Sequence, residues 1–223
     1  MIVFDKVTKK FGSITAVSDV SFEIKEGELV FITGPSGAGK TTLIRLILGE
    51  YLPSTGDVVV AGEKLSLVSK NKLHLWRRKI GVVFQDYKLF SNMTVEENVA
   101  LPLQITKKTK QQVKDRVKEV LKMVDLEERA LLFPAQLSGG ERQRTSLARA
   151  MVNNPAVLLA DEPMGNLDPV TANEMMKLID EINKKGTTVL MATHNASIVD
   201  NSKTRVIEFK KGKLVRDEKE GKY

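Results

Sequence analysis

Nine consecutive residues, Gly34-Pro35-Ser36-Gly37-Ala38-Gly39-Lys40-Thr41-Thr42, constrain this chain more than any other stretch. They fit the phosphate-binding pattern G-x-x-x-x-G-K-[ST] without a mismatch. Glu28 to Thr33 before them reads as a buried strand, and Thr41 to Leu48 after them as an amphipathic helix. Glycines let the backbone curl until its N–H groups surround phosphate oxygens, and the helix adds its positive N-terminal end. Lys40 is placed to reach the β- and γ-phosphates of a nucleotide, and the Thr41 hydroxyl to bind Mg²⁺.

Composition narrows what surrounds such a loop. At 223 residues, with 42% hydrophobic and 28% charged, the chain has the makeup of one globular domain. It contains no cysteine, which excludes disulfides and thiolate chemistry and suits a reducing cytosol. No leader pattern opens the sequence, and no apolar run approaches the ~20 residues that span a bilayer. Any membrane role is therefore expected to come through a partner. The net charge of +7 is spread along the chain, and aromatics are scarce at 5%. Such a basic surface, without interleaved aromatics, reads as solvated surface with a mild bias toward anionic headgroups rather than as a nucleic-acid face.

Patterning divides the chain. Residues 1 to 33 read as short strands, including Ile2-Val3-Phe4, Ala16-Val17 and Val20 to Ile24. Asp57 to Val60 and Ile80 to Phe84 are further strands, and Gln85 follows the second directly. Residues 86 to about 153 turn helical, with a capping pattern at Thr94–Glu97 and Val113, Val117, Val120, Leu121 and Val124 at helical spacing. This reads as a helical insertion, 86–153, in an α/β core formed by 1–85 and 154–216, with 217–223 a polar tail. Phe84, Tyr87, Leu89 and Phe90 fit either core packing or an apolar contact surface.

Other residues carry candidate chemistry. Ser138-Gly139-Gly140-Glu141 opens a helix with a hydroxyl cap and Glu at the third position. Two glycines there weaken the helix but leave its N–H groups open, so a plain cap and a second anion site both fit. Ala156 to Ala160 is a buried strand that ends in Asp161-Glu162. Ligands of open α/β sheets bind beyond the carboxyl ends of strands, which suits Asp161 to Mg²⁺ and Glu162 to an attacking water. A simple polar loop fits the two acids equally. Asp168 caps a helix with Pro169 at its first position. His194 follows the strand Thr187 to Ala192, and Phe11 sits beside Gly12, where an exposed ring can stack on a base or pack locally.

In their order, Gly34–Thr42, Gln85, Leu137-Ser138-Gly139-Gly140-Glu141-Arg142-Gln143, Asp161-Glu162, Asn166-Leu167-Asp168 and His194 resemble an ABC-type ATPase subunit over nearly the whole length. The resemblance implies a nucleotide-binding domain with a mainly parallel sheet, an N-terminal antiparallel β subdomain and an inserted helical subdomain. It also implies ATP and Mg²⁺ as ligands. Phe11 would stack on adenine, with Val17 beside it. Gln85 would touch Mg²⁺ and the attacking water, Glu162 would be the base, and His194 would hold the γ-phosphate. Ser138 to Glu141 would meet the nucleotide of a second subunit, and Asp168 would communicate across that homodimer.

Arg77 to Asp86, Thr94 to Leu103 and Val189 to His194 are similar to the cell-division, or FtsE, branch of these ATPases. That branch implies an FtsX-like integral membrane partner, peripheral attachment at the cytoplasmic face, and control of cell-wall hydrolases. A lipoprotein-releasing or macrolide-type exporter ATPase is the neighbouring alternative. Met164 and Asn195 depart from the usual Thr and Asp of the pattern.

Overall fold

The computed structural model describes residues 1–223. Strands β1 (Ile2–Phe11) and β2 (Ile14–Ile24) form a hairpin, and β3 (Leu29–Thr33) runs through the glycine-rich loop into α1 (Lys40–Ile47). Next come β4 (Thr55–Val60), β5 (Glu63–Lys64), α2 (Leu73–Arg78) and β6 (Ile80–Phe84). Three helices, α3 (Val95–Gln104), α4 (Lys110–Met123) and α5 (Gly139–Met151), precede β7 (Val157–Asp161). The chain finishes with α6 (Pro169–Lys184), β8 (Thr188–Ala192), α7 (Ala196–Ser202), β9 (Arg205–Lys210) and β10 (Lys213–Glu218).

Two sheets result. The smaller has the order β2-β1-β4-β5 and is antiparallel throughout. The larger has the order β10-β9-β3-β8-β7-β6, with every pairing parallel except β10 on β9. Its central strands are buried on both faces, as parallel strands covered on two sides must be. In β3, Leu29 and Phe31 join the core beneath the helices, whereas Val30 and Ile32 join the core shared with α1 and the small sheet. In β7, Leu158 and Ala160 face the first core, and Val157 and Leu159 the second. Because β3, β6, β7 and β8 are parallel, their carboxyl ends lie along one edge.

The hairpin strands are longer than their short apolar runs suggest. Bulges near Lys6 and Asp19, both with positive φ, break the alternation that a sequence reading relies on. Helix α5 lies directly against β6, because a Cβ at Gly81 would stand 2.5 Å from the Ala150 carbonyl oxygen. The only tryptophan, Trp76, is buried and gives its Nε1–H to the Ile47 carbonyl at 2.8 Å, satisfying an end group of α1.

One boundary needs correction. The polar tail does not start at 217, since Asp217 and Glu218 pair with Ile207 and Val206 in β10. The guanidinium fork of Arg205 holds Asp217 through Nε at 2.7 Å and Nη2 at 2.8 Å, and reaches Glu28 at 3.0 Å. A charged residue on an edge strand pairs there as readily as an apolar one.

Candidate functional site

The glycine-rich loop connects β3 to α1 as its pattern requires. Gly34, Gly37 and Gly39 have φ of 132°, 75° and 106°. Gly34 is required for a second reason, since a Cβ would stand 2.1 Å from the Phe209 carbonyl oxygen. No side chain caps α1 and no acid occupies its first turn, which leaves its N–H groups to an anion. Lys40 is largely buried and its Nζ donates to the carbonyls of Gly34 at 2.7 Å and Pro35 at 3.2 Å. The ammonium is therefore held over the loop. Pro35, Ser36 and Gly37 form its exposed rim, Ala38 lies beneath, and Thr41 and Thr42 start the helix.

The ends of two other strands, β6 and β7, meet this loop around a cavity of about 700 Å³, whose walls include Ser36, Thr41, Gln85, Asp161 and Glu162. Thr41 Oγ1 lies 3.5 Å from Asp161 Oδ1. Burial pushes the Asp161 carboxyl upward, opposed by the Thr41 hydroxyl and, further off, by Lys40. One hydroxyl and one carboxylate fit Mg²⁺, which commonly takes few protein oxygens and completes its shell with phosphate and water. The chain brings together no cluster of three acidic, histidine or cysteine side chains that could hold a metal ion.

Glu162 has φ of 49° and gives its backbone N–H to the Ala192 carbonyl at 2.8 Å. That backbone turn directs its side chain toward His194, whose Nδ1 stands 2.9 Å from Glu162 Oε2. A carboxylate only accepts, so Nδ1 carries the proton and Nε2 is left for another group. Gln85 lies at the end of β6 with its side chain across Gly165, where a Cβ would stand 2.8 Å from Gln85 Nε2. Asn166 Nδ2 also donates to the Gln85 carbonyl at 3.1 Å. The turn containing Asp168 is thereby tied to the site edge. Met164 is buried in the helical-side core, and Asn195 caps α7 by accepting from Ile198 N–H at 3.3 Å.

Ser138 to Glu141 belongs to a different place. Ser138 Oγ accepts from Glu141 N–H at 3.2 Å, and Glu141 Oε2 accepts from Ser138 N–H at 2.8 Å, completing a capping box. Ser138 and Gly140 face a cavity of about 350 Å³ with Arg144, Thr171 and Glu174. None of its lining residues borders the cavity at Thr41 and Asp161. Asp168 caps α6, its Oδ1 accepting from the N–H groups of Val170 at 3.0 Å and Thr171 at 3.1 Å.

Two residues expected to bind nucleotide, Val17 and Glu141, make other contacts within the chain. Val17 is fully buried and packs beneath Gly39, so it supports the loop from within the core. Glu141 has both carboxylate oxygens engaged, by Ser138 N–H and by Arg129 Nε at 2.9 Å. The Ser138 N–H, and then Arg129, hold its carboxyl below the usual range, and a charged carboxylate repels phosphate. Phe11 is 40% exposed, with its ring edge-to-face on Tyr51 at 5.0 Å between centroids and Lys9 Nζ 5.0 Å above it. Arg45 Nη1 donates to the Tyr51 hydroxyl at 2.7 Å. Sequence patterns do not single out Tyr51, because forty residues of chain separate it from Phe11.

A family model described as ABC transporter matches residues 17–165. The chain belongs to the ABC transporter family. This cassette is 48% identical to the cell division ATP-binding protein FtsE of Bacillus subtilis, over 100% of its own length and 98% of the relative's. Identity is 47% to the FtsE of Mycobacterium tuberculosis, with coverages of 100% and 98%, and 43% to that of Escherichia coli, with 96% and 97%. A dimeric ATP-binding cassette, MJ0796, solved in a post-hydrolysis state with ADP and Pi, superposes with a TM-score of 0.89 at 38% identity and full coverage of both chains. CbiO1 of Clostridium perfringens, part of an ABC transporter complex, gives 0.90 at 30% identity, covering 98% of this chain and 88% of its own. The cassette is thus an ABC-type ATPase domain with the cell-division proteins among its relatives.

Proposed function

We propose that the chain is the ATP-hydrolysing subunit of an FtsEX-like bacterial cell-division complex. Two copies close head to tail over two nucleotides, and a membrane partner converts that closure into control of cell-wall hydrolysis. The observation that carries the clamp is that Thr41, Asp161 and Glu162 line one cavity and Ser138 and Gly140 another, with no residue shared. One subunit presents a site that lacks its second wall, and elsewhere presents a wall that lacks its site. The dimeric form of the MJ0796 cassette, with ADP and Pi bound, supports the pairing of two copies.

In this reading the backbone N–H groups of Gly37 to Thr42 and the Lys40 ammonium hold the phosphates. Thr41 and Asp161 would hold Mg²⁺, which would supply positive charge against the phosphates. Glu162 accepts a proton from the attacking water, and the bond to the γ-phosphorus forms as the bridging bond to ADP breaks. His194 turns Nε2 to the γ-phosphate as an imidazolium, its Nε2–H donating to a phosphate oxygen while Nδ1–H stays on Glu162. Gln85 orients the water from the end of β6, and Phe11 receives the base. Ser138, Gly139 and Gly140 of the second copy bring their N–H groups to the same γ-phosphate.

No helix is long and apolar enough to cross a membrane; on this proposal an FtsX-like partner attaches the chain at the cytoplasmic face. Full-length similarity to three FtsE proteins supports the cell-division assignment. The test is co-purification from bacterial membranes with identification of the bound partner, followed by phosphate release from the complex. An FtsX-like partner that stimulates ATP turnover is the expected result. Recovery of a lipoprotein-releasing or macrolide-exporting permease would overturn the assignment while leaving the ATPase intact.

A further inference from the structure

We infer that Thr171 is a positioning residue. It locks the start of α5 to the Asp168 turn, so that both elements reach the second subunit's nucleotide as one rigid jaw. The inference rests on the head-to-tail clamp proposed above.

The two glycines at the start of α5 have different surroundings. A Cβ on Gly139 would meet only the Tyr87 hydroxyl at 3.5 Å and Leu167 Cδ2 at 3.7 Å, which is ordinary contact. A Cβ on Gly140 would stand 2.6 Å from Thr171 Cγ2, far inside van der Waals distance. The backbone of α5 at Gly140 is therefore seated on the Thr171 methyl group. That methyl cannot swing aside easily. Thr171 is β-branched, and its Oγ1 donates to Asp168 Oδ2 at 2.5 Å, which fixes χ1. Rotating the methyl away breaks this hydrogen bond.

One side chain thus touches both elements. Its methyl sets how closely α5 approaches α6, and its hydroxyl orients the carboxylate that caps α6. One turn along, Arg144 Nη2 meets Glu174 Oε2 at 2.5 Å, so the two helices stay joined beyond their first residues. Gly140 is consequently required for packing within the subunit, independently of any N–H group it offers to phosphate.

The test uses the full chain carrying Glu162→Gln, with Mg-ATP-dependent dimerisation followed by sedimentation velocity. Thr171→Val keeps a methyl but removes the hydroxyl, and should raise the ATP concentration for half-maximal dimerisation about tenfold. Thr171→Ser keeps the hydroxyl and loses only the methyl that seats Gly140, and should raise it by less, about threefold. Gly140→Ala should weaken dimerisation at least as much as Thr171→Val. Adding Thr171→Ser to it should recover most of the loss, because the clashing methyl is gone. Binding of a fluorescent ATP analogue to the monomer should stay within about twofold throughout, since the loop at Lys40 is untouched.

Equal dimerisation of Thr171→Val and the Glu162→Gln parent would overturn the proposal and leave the clamp standing. So would a Gly140→Ala, Thr171→Ser pair no better than Gly140→Ala alone. Failure of the Glu162→Gln parent to dimerise with ATP would overturn the clamp, and the proposal with it. Circular dichroism checks folding, and if Gly140→Ala does not fold, the contrast between Thr171→Val and Thr171→Ser decides.

Discussion

His194 Nδ1 lies 2.9 Å from Glu162 Oε2, a contact that links the residues following two neighbouring parallel strands, β8 and β7. It fixes the orientation of the imidazole ring and the carboxylate rotamer together. The proposed base and the proposed γ-phosphate ligand are therefore set by one hydrogen bond before a nucleotide arrives.

Replacing Glu162 by Gln should preserve ATP binding and cut phosphate release by about 10² or more. His194→Ala should lower turnover as well, and the double variant should lose little beyond the worse single one, because the pair acts as a unit. Additive losses in a phosphate-release assay on the partner complex would show that the two residues work separately.

Lys40→Ala removes the only ammonium seated over the loop carbonyls of Gly34 and Pro35. Affinity for a fluorescent ATP analogue should fall by about 10–100-fold, the scale of one or two charge-assisted hydrogen bonds. Thermal stability should change little, since Lys40 makes its side-chain bonds to backbone within its own loop. A variant that binds like the parent would remove Lys40 from the phosphate site.

Gly34→Ala forces a Cβ against the Phe209 carbonyl and a left-handed backbone on alanine. A cost of about 1–3 kcal/mol in urea unfolding is expected. Gly12→Ala is the matched control, with positive φ but no atom within 4 Å, and should cost about 1 kcal/mol. Equal midpoints for the two variants would show that the Phe209 contact yields freely.

Asp168 supplies a pH prediction. The Thr171 hydroxyl, then its backbone N–H, holds the Asp168 carboxyl below its ordinary value of 3.8. As pH falls from about 5, the unfolded chain takes up this proton before the folded one, so stability is lost with acid and is present above the unfolded value. Asp168→Asn keeps a capping oxygen but has nothing to titrate. Its melting temperature should lie below the parent's at neutral pH, and the gap should close as pH falls toward about 3. A gap independent of pH would exclude the carboxylate as its cause.

Much of the cis half of the site is legible in the sequence because it is local. Gly34 to Thr42 carry their own geometry, and Asp161, Glu162 and His194 follow apolar strands that the pattern identifies. The capping boxes at Thr94, Thr109 and Ser138 form as three-residue spacings do. What is not legible depends on residues far apart in the chain. The contact of Val17 with Gly39 is one such case. Tyr51, Arg45 and Lys9 gather around Phe11 through the meeting of β1 with the end of α1. Gly165 under Gln85 and Thr171 under Gly140 are contacts between elements, invisible to any single segment.

The division of chemistry between two cavities has a genetic corollary. On the clamp reading, a chain disabled at Lys40 retains a working Ser138 face, and a chain disabled at Ser138 retains a working phosphate loop. Either alone is dead in both sites of its homodimer. Mixed in equal amounts, they pair at random, and each heterodimer joins the two good halves into one sound site and the two bad halves into one ruined site. About a quarter of all sites would then be restored. Two loss-of-function alleles expressed together would partly complement each other, while either of them with a copy of itself would not.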